Sequence, residues 1–294
     1  MNKILFFILM LVTTTASAQY YVSVSGGYSI PSSRMMLGTS LNSDQSIATV
    51  KKGSYGEGFN TQFRAGYFFS ETFGVELGFA YLHGDDQNVD SYRTNVSAAN
   101  VTSIVERTTG TAHARAYGLN LALIYNFNDN IYGKFGAITK IAGATKAEFV
   151  KTTNTAFGPI IATGKIDYSG RLPLGFTASL GYKHKISSNV SLFAELEYLG
   201  INLTRDSSEY TKLAVAYPAV PQGSLGGGQP AQTIPAYTWQ LGQANHPVFP
   251  TPTKDIEYVD SLDPLNKDQS KSLTSVVPYS SFGLNIGVIY SFGK

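Results

Sequence analysis

The residues that could do chemistry on their own are few. They are His83, His113, His184 and His246, with Asp85, Asp86 and Asp90 close behind the first of them. An imidazole beside a hydroxyl and a carboxylate can activate a nucleophile, provided the three groups converge in space. Closeness in sequence does not establish that convergence, and an interfacial His without catalysis is the plainer reading of His83 and His113. The three acids could gather around calcium, but the twelve-residue loop with a central Gly and a final Glu is missing. Gly226, Gly227 and Gly228 are followed by neither Lys-Ser/Thr nor a helix, which a phosphate-binding loop requires. With no Cys in the chain, disulfides and thiolate metal sites are excluded. No catalytic, cofactor or metal site is expected.

A second set of polar residues is more informative because of where it falls. Arg64, Glu76, Lys134, Lys140, Lys183, Glu195 and Glu197 all lie on the polar parity of segments whose other parity is large and apolar. The last segment, 278–292, shows the pattern best. Phe282, Leu284, Ile286, Val288, Tyr290 and Phe292 alternate with Ser281, Gly283, Asn285, Gly287 and Ser291, and Ile289 is the one apolar intruder. A period of two is a strand signal. The same alternation recurs over 20–30, 58–69, 73–83, 116–127, 131–144, 172–186 and 190–203, least cleanly in 131–144. These eight segments come in pairs joined by tight polar turns at 70–72, 128–130 and 187–189, while the other connections, 31–57, 84–115, 145–171 and 204–277, are long.

Strands of this type suit a position between lipid and a lumen, and short turns alternating with long loops suit an outer-membrane barrel. The expected fold is all-β: a transmembrane antiparallel up-and-down barrel of about eight strands. Short periplasmic turns and both termini lie on one side, and long extracellular loops on the other. The seven charges then face the lumen as an ion-pair network, with Arg64 diagonal to Glu76 and Lys183 diagonal to Glu195 across their turns. On the lipid face each Arg or Lys at mid-membrane would cost about 2–4 kcal/mol. His113 and Arg115 share the lipid-facing parity but lie above the apolar band, and His184 joins Tyr182 in the interface belt. Loops two and three alternate enough to extend their flanking strands beyond the membrane. Loop four, 204–277, holds Pro218, Pro221, Pro230 and the glycine run, so an irregular segment is expected there.

Composition agrees. Charged residues are 14% of the chain, below the ~25% usual for soluble domains, while aromatics reach 13% with 19 Tyr and 17 Phe. Mean hydropathy is −0.05, as expected when lipid-facing residues are diluted one-for-one by lumen residues. Met1-Asn2-Lys3, an apolar run from Ile4 to Val12 and Ala16-Ser17-Ala18 read as a cleaved secretory signal peptide over 1–18. The domain expected is then a single barrel over 19–294. A net charge of +2 is too small to suggest nucleic-acid binding.

The strand pattern, the turn alternation and the terminal Gly287, Tyr290 and Phe292 resemble the eight-stranded OmpA/OmpX-type outer-membrane barrels over nearly the whole mature chain. Asn285-Ile-Gly287-Val-Ile-Tyr290-Ser-Phe292 looks like the C-terminal signal of such barrels, with Gly293 and Lys294 following. The resemblance implies outer-membrane lipid and the barrel-assembly machinery as partners, localisation in a bacterial outer membrane, and a monomer. It does not extend to a peptidoglycan-binding domain. Its members include adhesins, structural barrels and a few lipid-modifying enzymes, and it does not choose among them. The expected function is non-enzymatic and runs through the extracellular loops, in adhesion, surface interaction or envelope integrity. Tyr237, Trp239 and Phe249 are the candidate contacts for a protein or surface ligand. A narrow passive pore is the alternative, disfavoured because eight strands leave an interior just wide enough for side chains to fill. A lipid-modifying enzyme is the less favoured third reading.

Overall fold

The computed structural model describes residues 19–42, 47–96, 102–221, 233–244 and 252–292. The expected signal peptide, the glycines at 226–228, His246, Phe249, Gly293 and Lys294 lie outside the described residues. The regular elements are strands throughout: β1 (Gln19–Pro31), β2 (Met35–Leu41), β3 (Ala48–Gly53), β4 (Gly58–Phe68), β5 (Phe73–Gly84), β6 (Gln87–Val96), β7 (Thr102–Asn126), β8 (Ile131–Thr155), β9 (Gly158–Gly170), β10 (Gly175–Lys185), β11 (Val190–Gly200), β12 (Asn202–Tyr217), β13 (Tyr237–Gln240), β14 (Asp255–Val259), β15 (Lys271–Leu273), β16 (Val276–Pro278) and β17 (Ser281–Phe292).

Eight of them form a ring. β1 pairs antiparallel with β4, β4 with β5, β5 with β7 and β7 with β8. β8 pairs with β10, β10 with β11, β11 with β17, and β17 returns to β1. These are the eight segments that the alternation marks. Parity decides which side each residue takes. On β7, Leu119, Leu121 and Leu123 face outward and are 37%, 60% and 61% exposed, while Asn120, Ala122 and Ile124 are buried within the ring. Leu121→Arg is expected to destabilise the barrel by about 2–4 kcal/mol, the cost of a cation at mid-membrane on the lipid face. The readout is a lower urea midpoint for the heat-sensitive gel shift in lipid vesicles. An unchanged midpoint would mean that Leu121 does not face lipid.

Aromatic rings gird the outside at two heights. The lower belt contains the contacts Tyr20–Tyr67, Phe73–Tyr125 and Tyr290–Phe292, with centroids 4.9, 5.1 and 4.9 Å apart. The upper belt contains Tyr28–Phe59, Tyr81–Tyr117 and Tyr198–Phe282 at 5.1, 4.9 and 4.9 Å. Tyr20 and Tyr28 on β1 mark the two heights. At ~3.4 Å per residue and ~40° tilt they stand about 20 Å apart, close to the apolar band of such barrels. Amphipathic rings are favoured where one end is apolar and the other wet.

Above the upper belt the wall continues as an extracellular sheet. β7 and β8 are 25 residues each and stay paired from Asn126↔Tyr132 up to Glu106↔Thr153. β6 pairs along the outer part of β7, β9 pairs with β8, and β12 pairs with β9. β13, β14 and β16 line the free side of β12, and β15 runs parallel to β14. The β2–β3 hairpin of the first loop packs beside β6.

The imperfect alternation in 131–144 has a cause. A β-bulge opposite Tyr117 and Gly118 inserts Ile141 between Lys140 and Ala142, and Gly143 takes a φ of 95°. A residue without a Cβ adopts that backbone freely, and a bulge resets the side on which later residues fall. Even positions of β8 up to Ile138 face inward, and after the bulge the odd positions Thr145 and Ala147 do.

Three expectations about strand limits are corrected. The sixth strand starts at Gly175 rather than 172, since Pro173 has no N–H for a ladder. The seventh stops at Gly200 because Ile201 leaves the ring. Its N–H donates to Ser280 Oγ at 3.0 Å, and its carbonyl accepts from Tyr279 N at 3.1 Å. Loop four is not irregular throughout: β12 runs to Tyr217, before Pro218, and four further short strands follow.

Candidate functional site

The ring interior is filled in layers. At the periplasmic end Tyr21, Ile124 and Tyr132 form a buried apolar floor with Phe68 and Ile289 against it. The intruder Ile289 is thus part of this floor. Each large ring lies across a glycine on the neighbouring strand. A Cβ at Gly66 would overlap Tyr21, one at Gly181 would overlap Tyr132, and one at Gly287 would crowd Phe193. The lumen is therefore packed by pairing its largest side chains with positions that have none.

The charged layer sits on this floor. The Arg64 guanidinium holds Glu195 through Nη2–Oε1 at 2.9 Å and Nη1–Oε2 at 3.3 Å, and its Nε lies 3.8 Å from Glu76. Lys134 Nζ reaches both carboxylates, at 2.9 Å from Glu76 and 3.0 Å from Glu195. The Tyr21 hydroxyl donates to Glu76, and the Tyr132 hydroxyl donates to Glu195 at 2.9 Å. Gln62 Oε1 accepts from Arg64 Nε at 2.9 Å. The side chains of Arg64, Glu76 and Glu195 are each 1% exposed, and Lys134 is 8% exposed. Two cations face two carboxylates. Unpaired, each would carry a desolvation cost of several kcal/mol. The cluster satisfies its members and occupies the lumen at this level.

The other expected members go elsewhere. Glu197 accepts from Gln62, Thr177 and Asn285 at 2.7, 3.0 and 2.9 Å, one layer up. Lys183 does not pair with Glu195, which Arg64 and Lys134 already occupy. It donates to Asn126 Oδ1 at 3.1 Å and lies over the rings of Phe68 and Tyr132. Lys140 meets no carboxylate among the described residues; its ammonium donates to the Gly143 carbonyl at 2.7 Å. Tyr21, Tyr132, Phe193, Gln62 and Asn285 belong to the lumen network or its floor although none was among the seven. Their parity was the available signal, since Tyr21 shares it with Ser23 and Ser25.

Above the charges, a cavity of about 80 Å³ lies between polar Asn60, Gln62, Asn120 and Glu197 and apolar Ile201, Leu203 and Tyr279. Those three apolar residues, with Tyr55, Ala112, Ala114 and Val277, form a buried cap over the mouth.

The extracellular sheet has its own core and a charged outer surface. Leu213, Val215, Tyr217 and Trp239 are buried together, with Phe149 and Ala162 against them. Trp239 is 3% exposed and is a core residue of the sheet rather than a contact residue. Tyr237 is half-buried, and its hydroxyl donates to Gln243 Oε1 at 3.4 Å. Cross-strand ion pairs cover the outside, among them Lys146–Asp167 at 2.8 Å and Glu148–Lys165, while Lys151–Glu106 at 3.1 Å lies on the face that Phe149 shares.

The polar groups first considered for chemistry have separate partners. His113 Nδ1 lies 2.7 Å from Asp86, and His83 Nδ1 lies 3.5 Å from the Tyr81 hydroxyl. Asp85 accepts from Tyr28 at 2.6 Å, and Asp90 from Arg107 at 3.3 Å. His184 is exposed on the outer face beside Tyr182. In the terminal strand, Tyr290 and Phe292 face outward, and Gly287 faces Phe193 within.

An eight-stranded ring with a lipid-facing band, aromatic belts and a filled lumen defines a small outer-membrane barrel of the OmpA/OmpX type. The family model for the outer membrane protein beta-barrel domain matches residues 4–217, and the chain belongs to that family. Among solved structures it is similar to the outer membrane protein OprG from Pseudomonas aeruginosa, at 11% identity over 94% of this chain and 97% of that one, with a TM-score of 0.37. It is also similar to Ail, the attachment invasion locus protein of Yersinia pestis, at 11% identity over 94% and 97%, TM-score 0.27. The toluene transporter TodX of P. putida aligns at 11% identity over 97% and 92%, TM-score 0.26. No curated protein matches the chain.

Proposed function

We propose that this barrel acts outside the membrane, as a non-enzymatic surface protein in adhesion, surface interaction or envelope integrity. The observation that carries the reading is the division of the chain between two tasks. The ring interior is taken up by packed and ion-paired side chains, while β7 and β8 rise some 50 Å along the strand above the upper aromatic belt to carry a second sheet. The outer face of that sheet is the surface offered to a partner. Export by the N-terminal signal, insertion by the assembly machinery through Gly287, Tyr290 and Phe292, and a monomeric state belong to the same proposal.

A narrow passive pore is the second reading. It is favoured by the lumen cavity and by Ser25 Oγ, Asn120 Oδ1 and Asn285 Oδ1, which are buried without a partner among the described residues and which water could satisfy. Planar-bilayer recording separates the two. The refolded full chain is expected to give no unitary conductance, with folding established by the gel shift; steady openings of one size would make it a channel. Cells displaying a chain whose β8–β9 hairpin is cut back to the Lys146–Asp167 rung are expected to lose surface attachment. Unchanged attachment would count against the outer sheet. A lipid-modifying role is the least supported, since among the described residues neither His83 nor His113 has a serine or threonine hydroxyl as a partner.

A further inference from the structure

Arg205 stands out among the cations of the extracellular region. A bulge in β12 between Arg205 and Ser207 sends Asp206 to the outer face, where it joins Arg171, 3.5 Å away, and Arg171 in turn holds Asp260 at 3.0 Å. Arg205 is left on the inner face with no carboxylate partner among the described residues. Its guanidinium stacks over Tyr168, 4.4 Å from the ring centroid, and lies 5.9 Å from that of Tyr258. Burial pushes the phenols of Tyr55 and Tyr279, both in the cap, up, and the Arg205 charge opposes that. Among the described residues none of the Arg205 guanidinium nitrogens has a side-chain hydrogen-bond partner, and the residue is partly exposed. The hydroxyls of Tyr55 and Tyr168 are likewise without a protein partner among the described residues.

We infer that Arg205, with Tyr168 and Tyr258 around it, is a binding site in the extracellular region for a small soluble ligand bearing an oxyanion, a carboxylate or a phosphate. A guanidinium stacked by its face on an aromatic ring keeps the in-plane edges free, and those edges match two oxygens of one anion. All five N–H groups are donors, and a carboxylate or phosphate is the acceptor that uses two at once. The tyrosine walls lower the local dielectric, which strengthens the pairing over its value in water. Burial, and next the neighbouring Tyr258, push the Tyr168 phenol up, so that it stays a neutral hydroxyl able to donate. Tyr168, on which Arg205 stacks, stands beside Thr145 on the face of the sheet that meets the cap, above the upper belt and away from lipid, which makes a lipid headgroup the wrong source of the anion. The site is independent of the outer-face surface proposed above.

The test uses the refolded full chain in detergent micelles with ¹⁵N-labelled arginine. The Arg205 Nε–H resonance, identified by its absence in Arg205→Lys, is followed as inorganic phosphate, acetate or benzoate is added at constant ionic strength, with chloride as the control. A saturable shift with phosphate or with a carboxylate, and not with chloride, is expected, and the anion that saturates names the class. Arg205→Lys, which keeps the charge but not the planar fork, should weaken binding about tenfold, the loss expected when one charge-assisted hydrogen bond is removed. A response that never saturates, or that matches the exposed Arg34, overturns the inference. So does unchanged affinity in Arg205→Lys, measured by calorimetry. Calorimetry of the wild-type chain with the same anions needs no assignment and no variant; absence of saturable heat with both phosphate and carboxylates overturns the inference even if the variant misfolds.

Discussion

Glu195→Ala is expected to destabilise the barrel by about 3–5 kcal/mol, the cost of removing one partner from a buried ion pair. Glu195 holds both nitrogens of the Arg64 fork, the Lys134 ammonium and the Tyr132 hydroxyl. Without it two cations, 1% and 8% exposed, share Glu76 alone. The measurement is the urea midpoint of the heat-sensitive gel shift in lipid vesicles. A double variant, Arg64→Met with Glu195→Leu, tests the cause. It removes one charge of each sign and leaves Lys134 on Glu76, so its cost should fall well below the sum of the two single changes. Simple additivity would mean that the charges do not interact, and the layered lumen would need another account.

Trp239→Ala is expected to cost a similar amount, about 3–5 kcal/mol for a buried Trp, but in the extracellular sheet alone. Trp239 packs on Leu213, Val215 and Tyr217 in a cluster separate from the cap and the periplasmic floor. Local units with their own cores open at their own free energy. Protease should therefore cut the variant within β12–β14 while the ring keeps its gel shift. Trp239 is also the only tryptophan, so wild-type emission reports on the sheet. Its urea transition should precede that of the gel shift. Coincident transitions, or equal protease resistance of variant and wild type, would mean that sheet and ring unfold as one unit.

The ring was legible in the sequence because lipid on one side and a filled lumen on the other impose a period of two on every strand. The lumen charges were legible for the same reason. Reading them as consecutive pairs failed for Lys183, because in a ring eight strands wide the side chains meet across the lumen. Arg64 on β4 finds Glu195 on β11, which is 131 residues away. The aromatic rings within the lumen were missed because Tyr21, Tyr132 and Phe193 carry the polar parity but not polar chemistry. What makes room for them is a glycine on another strand.

The class, the eight crossings, the side on which residues fall within the membrane and the outward direction of the long loops can all be read along the chain. Each of these follows from local alternation and turn chemistry within one or two strands. Which charges pair, that Trp239 is core, that loop four pairs back onto β9, and that Arg205 stands among tyrosines with no acid beside it among the described residues emerge only once the chain is folded. These depend on contacts between residues far apart in the chain, and on bulges at β8 and β12 that shift the alternation by one residue without leaving a clear local mark.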